Sequence, residues 1–172
     1  MSGERPKTIL IVEDDARAAT AACEALEEYR YIPLIARSGQ EALCIAGSVK
    51  TIDLILIDLR LGVNLDGIDG IDTARILQSE RHVPVVFLSE HLERATLDRM
   101  NLVDSYGCLA KHASSPELAA SIAIAFQRQS AERKAREEEL RKILAAMPDI
   151  ISINYPEAVS SLQRAAPPRS PA

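Results

Sequence analysis

The sequence predicts an α/β fold: a doubly wound, five-stranded parallel sheet flanked by helices, with an extended C-terminal helix. Short apolar runs alternate with amphipathic helical stretches, the pattern of repeated strand-helix units. The segment from Leu54 to Ile57 is built of Ile and Leu alone and stops on Asp58, as expected of a strand covered on both faces. Polar or charged residues close four of the five runs, at the strand ends where open parallel sheets gather their ligand crevices.

Taken in order, Lys7–Val12 reads as a first strand that stops at Glu13, Asp14 and Asp15. An Ala-rich helix follows from Ala16 to Tyr29, with Ala18, Ala22, Ala25 and Leu26 expected on its inner face. Tyr31–Ala36 is a second strand whose Pro33 points to an edge position or a strand start. Ser38 and Glu41 then form a helix-start signature, hydroxyl cap first and reach-back carboxylate three residues on. The third strand ends on Asp58, and a Gly- and Asp-rich loop, Gly62–Gly70, leads to a helix from about Ile71 to Glu80. Val83–Ser89 is the fourth strand, Leu92–Leu102 a helix and Tyr106–Lys111 the fifth strand. Ser115 is expected to cap the last helix, with Pro116 in its first turn.

Length and composition narrow the function classes. At 172 residues the chain holds one well-cored domain plus an appendage, and its 47% hydrophobic content is ordinary for a globular protein. No apolar run is long enough to span a bilayer. The start carries no signal-peptide pattern, so a cytoplasmic protein is expected. Cys23, Cys44 and Cys108 lack the spacing of a zinc site or a disulfide framework, and Cys23 and Cys44 read as small core or near-core residues. A net charge of -5 with few aromatics indicates no nucleic-acid surface. The absence of a Gly-rich phosphate loop after the first strand weakens a third class, a small-molecule α/β enzyme.

In a parallel sheet the strand ends carrying Glu13, Asp14, Asp58, Ser89 and Lys111 converge on one crevice. Each has an ordinary explanation alone: acids at a helix start, a loop acid, a helix cap, a surface lysine. Their coincidence at successive strand ends favours a site. Three close carboxylates repel one another unless a cation sits among them, and oxygen ligands at a phosphate-handling site suit Mg²⁺. With Mg²⁺ and Lys111 as positive charges, Asp58 could act as a nucleophile toward a phosphoryl group, with Ser89 bonding a phosphoryl oxygen.

Ile9–Asp15, Leu56–Arg60, Phe87–Ser89 and Leu109–Lys111, in this order and spacing, resemble the receiver domain of two-component response regulators, a flavodoxin-like or CheY-like fold. The resemblance covers roughly residues 6–128. It implies that Asp58 is the phosphoacceptor and that Glu13, Asp14, Asp58 and the main-chain carbonyl of Arg60 hold Mg²⁺. It further implies that Ser89 is the switch hydroxyl, that Lys111 pairs with the aspartate or phosphate, and that a sensor histidine kinase or histidine phosphotransfer protein is the donor. Asp15 is assigned to the helix N-terminus.

Three positions depart from the pattern. Cys108 stands at the switch position, where receivers carry an aromatic. Tyr106, two residues earlier, is expected on the same side of the strand and is no substitute. His112 replaces the usual Pro, so an ordinary trans link or an altered loop is expected after Lys111, with His112 itself exposed. Glu90 follows the switch hydroxyl where a small residue is usual, and would crowd a phosphodonor. These departures support the alternative reading, a phosphorylation-independent pseudo-receiver that acts as an interaction module.

Beyond Leu118, Ile122 and Phe126, which read as core-facing, residues 129–147 form a helical extension of mixed charge. Leu140, Ile143, Leu144 and Met147 restore an apolar stripe, so a homodimer through a coiled coil is expected, with a solvated single helix as the alternative. Arg133 and Arg136 fall on the seam of that heptad. Leu140–Ile153 is similar to the linker and opening strand of a PAS sensor domain, but residues 148–172 are too few for that domain, and the tail's composition predicts disorder.

Overall fold

A computed structural model of the chain describes residues 5–61, 69–90 and 103–146. The helix expected over Leu92–Leu102, most of the Gly62–Gly70 loop and the segment 148–172 lie outside the described residues. Five parallel strands, β1 (Thr8–Val12), β2 (Ile32–Ala36), β3 (Leu54–Asp58), β4 (Val85–Ser89) and β5 (Ser105–Ala110), pair in the order β2-β1-β3-β4-β5. The described helices are α1 (Ala16–Glu28), α2 (Gly39–Ser48), α3 (Gly70–Glu80) and α4 (Ser115–Ala146).

The order explains the strand compositions. β3 sits at the centre and every one of its residues is buried. β2 is an edge strand, the position that Pro33 requires because it has no N–H to give a second neighbour. Alternate side chains enter two cores. Leu10, Val12, Ile55, Ile57, Val85 and Phe87 pack with α2 and α3 on one face. Ile9, Ile11, Leu54, Leu56, Val86 and Leu88 pack with α1 and α4 on the other.

The helix starts follow their side chains. Asp15 caps α1, its Oδ1 accepting from the Ala18 N–H at 2.8 Å. Ser38 caps α2, its Oγ accepting from the Glu41 N–H at 3.1 Å, while Glu41 reaches back to the Arg37 N–H at 2.7 Å. The α4 cap is Ser114 and not Ser115: the Ser114 N–H and hydroxyl both donate to Glu117, and its carbonyl accepts from Leu118. A carboxylate lies three residues after Ser114, where it accepts both donors; the residue three after Ser115 is Leu118. On α1, Leu26 is buried and Ala22 and Ala25 pack against the same core, as their spacing suggests, and Ala19 is buried as well. Cys44 is exposed, not near-core, and all three cysteines are free.

β5 holds the largest departure. Val85 pairs with Ser105, but Val86 pairs with Gly107, so β5 advances two residues against one on β4. This bulge at Tyr106 breaks the alternation. Tyr106 packs on the α1/α4 face and Cys108 on the α2/α3 face. The two are on opposite sides of the sheet, against the expectation of a shared side.

Residues up to Gln129 form one compact unit, and residues from Ser130 onward form a second. In the second, every side chain from Ser130 to Ile143 is exposed. Among the described residues, no helix is long and apolar enough to cross a membrane.

Candidate functional site

The carboxyl ends of β1, β3, β4 and β5 bring together Glu13, Asp14, Asp58, Ser89 and Lys111. Glu13 follows β1 directly and its N–H donates to the Ala36 carbonyl at 3.0 Å, which continues the sheet pairing one residue past the strand. That register turns its side chain inward, with only 1% of the residue exposed. Asp14, one residue on, is exposed, and Asp15 is committed to the α1 cap. Asp58 and Ser89 are buried at the ends of β3 and β4.

Lys111 ties these ends together. Its N–H donates to the Ser89 carbonyl at 3.0 Å, which holds the residue beside β4. Its Nζ then donates to Asp58 Oδ2 at 2.7 Å and to Glu13 Oε1 at 3.0 Å. Asp58 Oδ1 accepts from the Arg60 N–H at 3.0 Å, and Glu13 Oε1 accepts from the Asp15 N–H at 3.1 Å. Glu13 Oε2 lies 2.9 Å from Nζ, yet it takes no hydrogen bond of good direction and is buried.

Charge balance sets the titration. Burial pushes the Glu13 carboxyl above its ordinary value; the Lys111 hydrogen bond opposes this, and the charge of Asp58 reinforces it. Burial alone would lower Lys111, but its bonds to Asp58 and Glu13 outweigh that and raise it. Three carboxylates thus face one ammonium. Carboxylate oxygens of Glu13, Asp14 and Asp58 lie within 4.8 Å of one another. An all-oxygen donor set with one buried, undirected oxygen suits a hard divalent cation such as Mg²⁺.

One neighbour was not foreseen. Gly70, the first residue of α3, lies so close to the end of β3 that an added Cβ would sit 1.9 Å from the Asp58 carbonyl oxygen. Only glycine allows that approach. An Asp-Gly pair reads as a turn in sequence, and nothing in the local pattern names the backbone it will meet.

The departures also have places. The Lys111–His112 link is trans, and Ala110–Ala113 close a turn through the Ala113 N–H to Ala110 carbonyl bond at 3.0 Å. His112 and Glu90 are exposed, as expected of loop residues. Cys108 is half-buried beside the α2/α3 core, and burial pushes its thiol up, so it is a poor thiolate. Tyr106 faces α4, where the Arg128 guanidinium lies 5.1 Å from its ring centre.

Buried acids at two strand ends, a buried hydroxyl at a third and a lysine bonded to both acids thus form one polar cluster at the carboxyl edge of the parallel sheet. The match is specific: residues 9–123 fit the response regulator receiver domain family, and the chain belongs to it. It is 32% identical over 124 residues to the transcriptional regulatory protein PdtaR of Mycobacterium tuberculosis, covering 72% of this chain and 58% of that protein. Among solved structures it is similar to the N-terminal domain of a response regulator/sensory box/GGDEF three-domain protein from Carboxydothermus hydrogenoformans. The identity there is 35% and the TM-score 0.67, over 73% of this chain and 98% of the other. The chemotaxis protein CheY4 of Vibrio cholerae shares the fold at a TM-score of 0.63 and 19% identity, over 69% and 98% of the two chains. The chain spans just over half the length of the curated relatives it matches first.

Proposed function

We propose that this receiver accepts a phosphoryl group on Asp58 from a histidine kinase or histidine phosphotransfer protein, in a Mg²⁺-dependent step, and acts by protein contact or dimerisation. The observation that carries this reading is the Lys111 ammonium, bonded at once to buried Asp58 and buried Glu13. The ammonium holds the Asp58 carboxylate in one direction at the strand end, as a nucleophile must be held. Asp58 Oδ would attack the phosphorus of the donor's phosphohistidine; the P–O bond forms as the P–N bond breaks, and the imidazole leaves.

Glu13, Asp14, Asp58 and the Arg60 carbonyl would hold the metal, which when bound offsets the charge of the carboxylates and the incoming phosphoryl oxygens. Lys111 and the Ser89 hydroxyl would take phosphoryl oxygens, with Cys108 at the position of the usual aromatic. In this reading residues 6–128 are the receiver, 129–147 a helical extension and 148–172 a separate segment. Free thiols throughout suit a reducing cytoplasm.

The test is treatment with a small acyl phosphate, with and without Mg²⁺, read by intact mass. One phosphoryl group is expected on the chain with Mg²⁺ and none on Asp58→Asn. The half-buried Cys108 in place of the aromatic favours a second reading, a pseudo-receiver, and failure of Mg²⁺-dependent modification would select it.

A further inference from the structure

We infer that β5 carries a register switch latched by Gln78: with the latch closed Tyr106 lies against α4, and with it open Tyr106 turns to the α2/α3 face beside Cys108. The switch needs no phosphoryl group on Asp58.

The latch is a side-chain amide that stands in for a strand partner. Gln78 of α3 accepts the Asp104 N–H on Oε1 at 3.2 Å and donates from Nε2 to the Asp104 carbonyl at 2.8 Å. The same Nε2 donates to the Val83 carbonyl at 3.4 Å. Asp104 directly precedes β5, and Val83 stands two residues before β4, so one amide fixes where the two strands begin relative to each other. Their carboxyl ends are fixed separately. Phe87 pairs with Cys108, Leu88 with Leu109 and Ser89 with Ala110, and the Lys111 N–H donates to the Ser89 carbonyl. Between the two fixed ends β4 has five residues and β5 has six. The surplus residue must leave the ladder, and it does so at Tyr106, where Gly107 follows with a φ of 157°.

The face of Tyr106 follows from that count. Paired residues share a side of the sheet, and a shift of one residue reverses it. Without the bulge Tyr106 would pair with Val85, whose side chain belongs to the α2/α3 core. Bulged, it packs instead on the α1/α4 face, where the Arg128 guanidinium lies 5.1 Å from its ring centre. Opening the latch lets Asp104 and Ser105 draw back by one place, and the ladder closes with Tyr106 opposite Val85. Residues 107–111 keep their partners in both states. Lys111 therefore stays on Asp58 and Glu13 while the aromatic changes face and Arg128 loses its ring contact. The surface of α4 is altered and the polar cluster is left intact.

Nuclear magnetic resonance on the full chain reads both positions. In the wild type the Arg128 Nε–H signal should carry a ring-current shift, measured as the part that disappears in Tyr106→Leu. Gln78→Leu should move that signal to its Tyr106→Leu position and bring the Tyr106 ring protons into cross-relaxation with the Val85 methyl groups. Gln78→Glu keeps the acceptor for the Asp104 N–H and loses the donor, so it should show both sets of signals, and it carries the test if Gln78→Leu does not fold. A folded variant at Gln78 with the wild-type Arg128 shift and no Val85 contact overturns the switch. Amide signals of residues 108–111 that move as far as those of 104–107 overturn a carboxyl end common to both states.

Discussion

Replacing Lys111 with Met keeps the length of the side chain and removes the charge that joins Asp58 to Glu13. Both carboxylates are buried, and the lysine side chain is itself only 13% exposed. Removing one partner of such a buried pair costs about 3–5 kcal/mol, because the remaining charge is left without compensation. Some solvent reaches Lys111, so the lower figure of about 3 kcal/mol applies, a fall in Tm of about 10 °C for a domain of this size.

The loss should depend on pH in a stated direction. Burial already holds Glu13 above its ordinary 4.5 with the lysine in place, and without it Glu13 rises further. A group raised in the folded state contributes stability that is present below its unfolded value and lost as pH climbs through the folded one. The raised Lys111 behaves the same way at the alkaline end, its contribution present below 10.5 and lost above the higher folded value. Lys111→Met should therefore be most destabilised at mildly alkaline pH and recover at mildly acidic pH, in the direction in which Glu13 takes up a proton. Urea unfolding at both pH values, without divalent metal, reads the difference. A loss below about 1 kcal/mol, or one equal at the two pH values, would refute a buried pair held by this lysine.

Three further outcomes follow from other contacts. Gly70→Ala drives a methyl group into the Asp58 carbonyl, so denaturant unfolding should show a loss of about 1–3 kcal/mol, with weaker Mg²⁺ binding by titration calorimetry. Asp53 accepts the Thr8 N–H at 2.8 Å and a two-pronged Arg5 contact at 2.7 and 2.9 Å, and Asp53→Ala leaves the strand's first N–H unpaired at a cost of about 1–2 kcal/mol. Burial would raise the Asp53 carboxyl, but Arg5 and the Thr8 N–H outweigh it and hold it below its ordinary 3.8. The Asp53 contribution should accordingly be present above that value and fade as pH falls through the folded one, visible as a flatter acid limb in the variant's unfolding profile. Arg30 adopts a left-handed conformation, φ 61°, just past α1, and Arg30→Gly should raise thermal stability by up to about 1 kcal/mol.

Much of this protein can be read from local pattern, because the forces involved are local. Aliphatic runs of strand length, side chains that cap their own helix and a proline barred from the sheet interior are decided by neighbours in the chain. Asp15, Ser38 and Pro33 all behave as their types require. The candidate site was legible for a related reason: parallel strands share one direction, so residues closing successive strands must come together.

Tertiary structure decided what depends on a partner far along the chain. Whether Glu13 or Asp14 turns inward is set by the bond from Glu13 to Ala36 on a neighbouring strand. The bond from Lys111 to Glu13 as well as Asp58 needs three strand ends fixed at once. Tyr106 and Cys108 are two residues apart, and alternation alone places them together. The bulge against Val86 separates them, because pairing across β4 and β5, and not the period of β5 itself, determines which core each side chain enters.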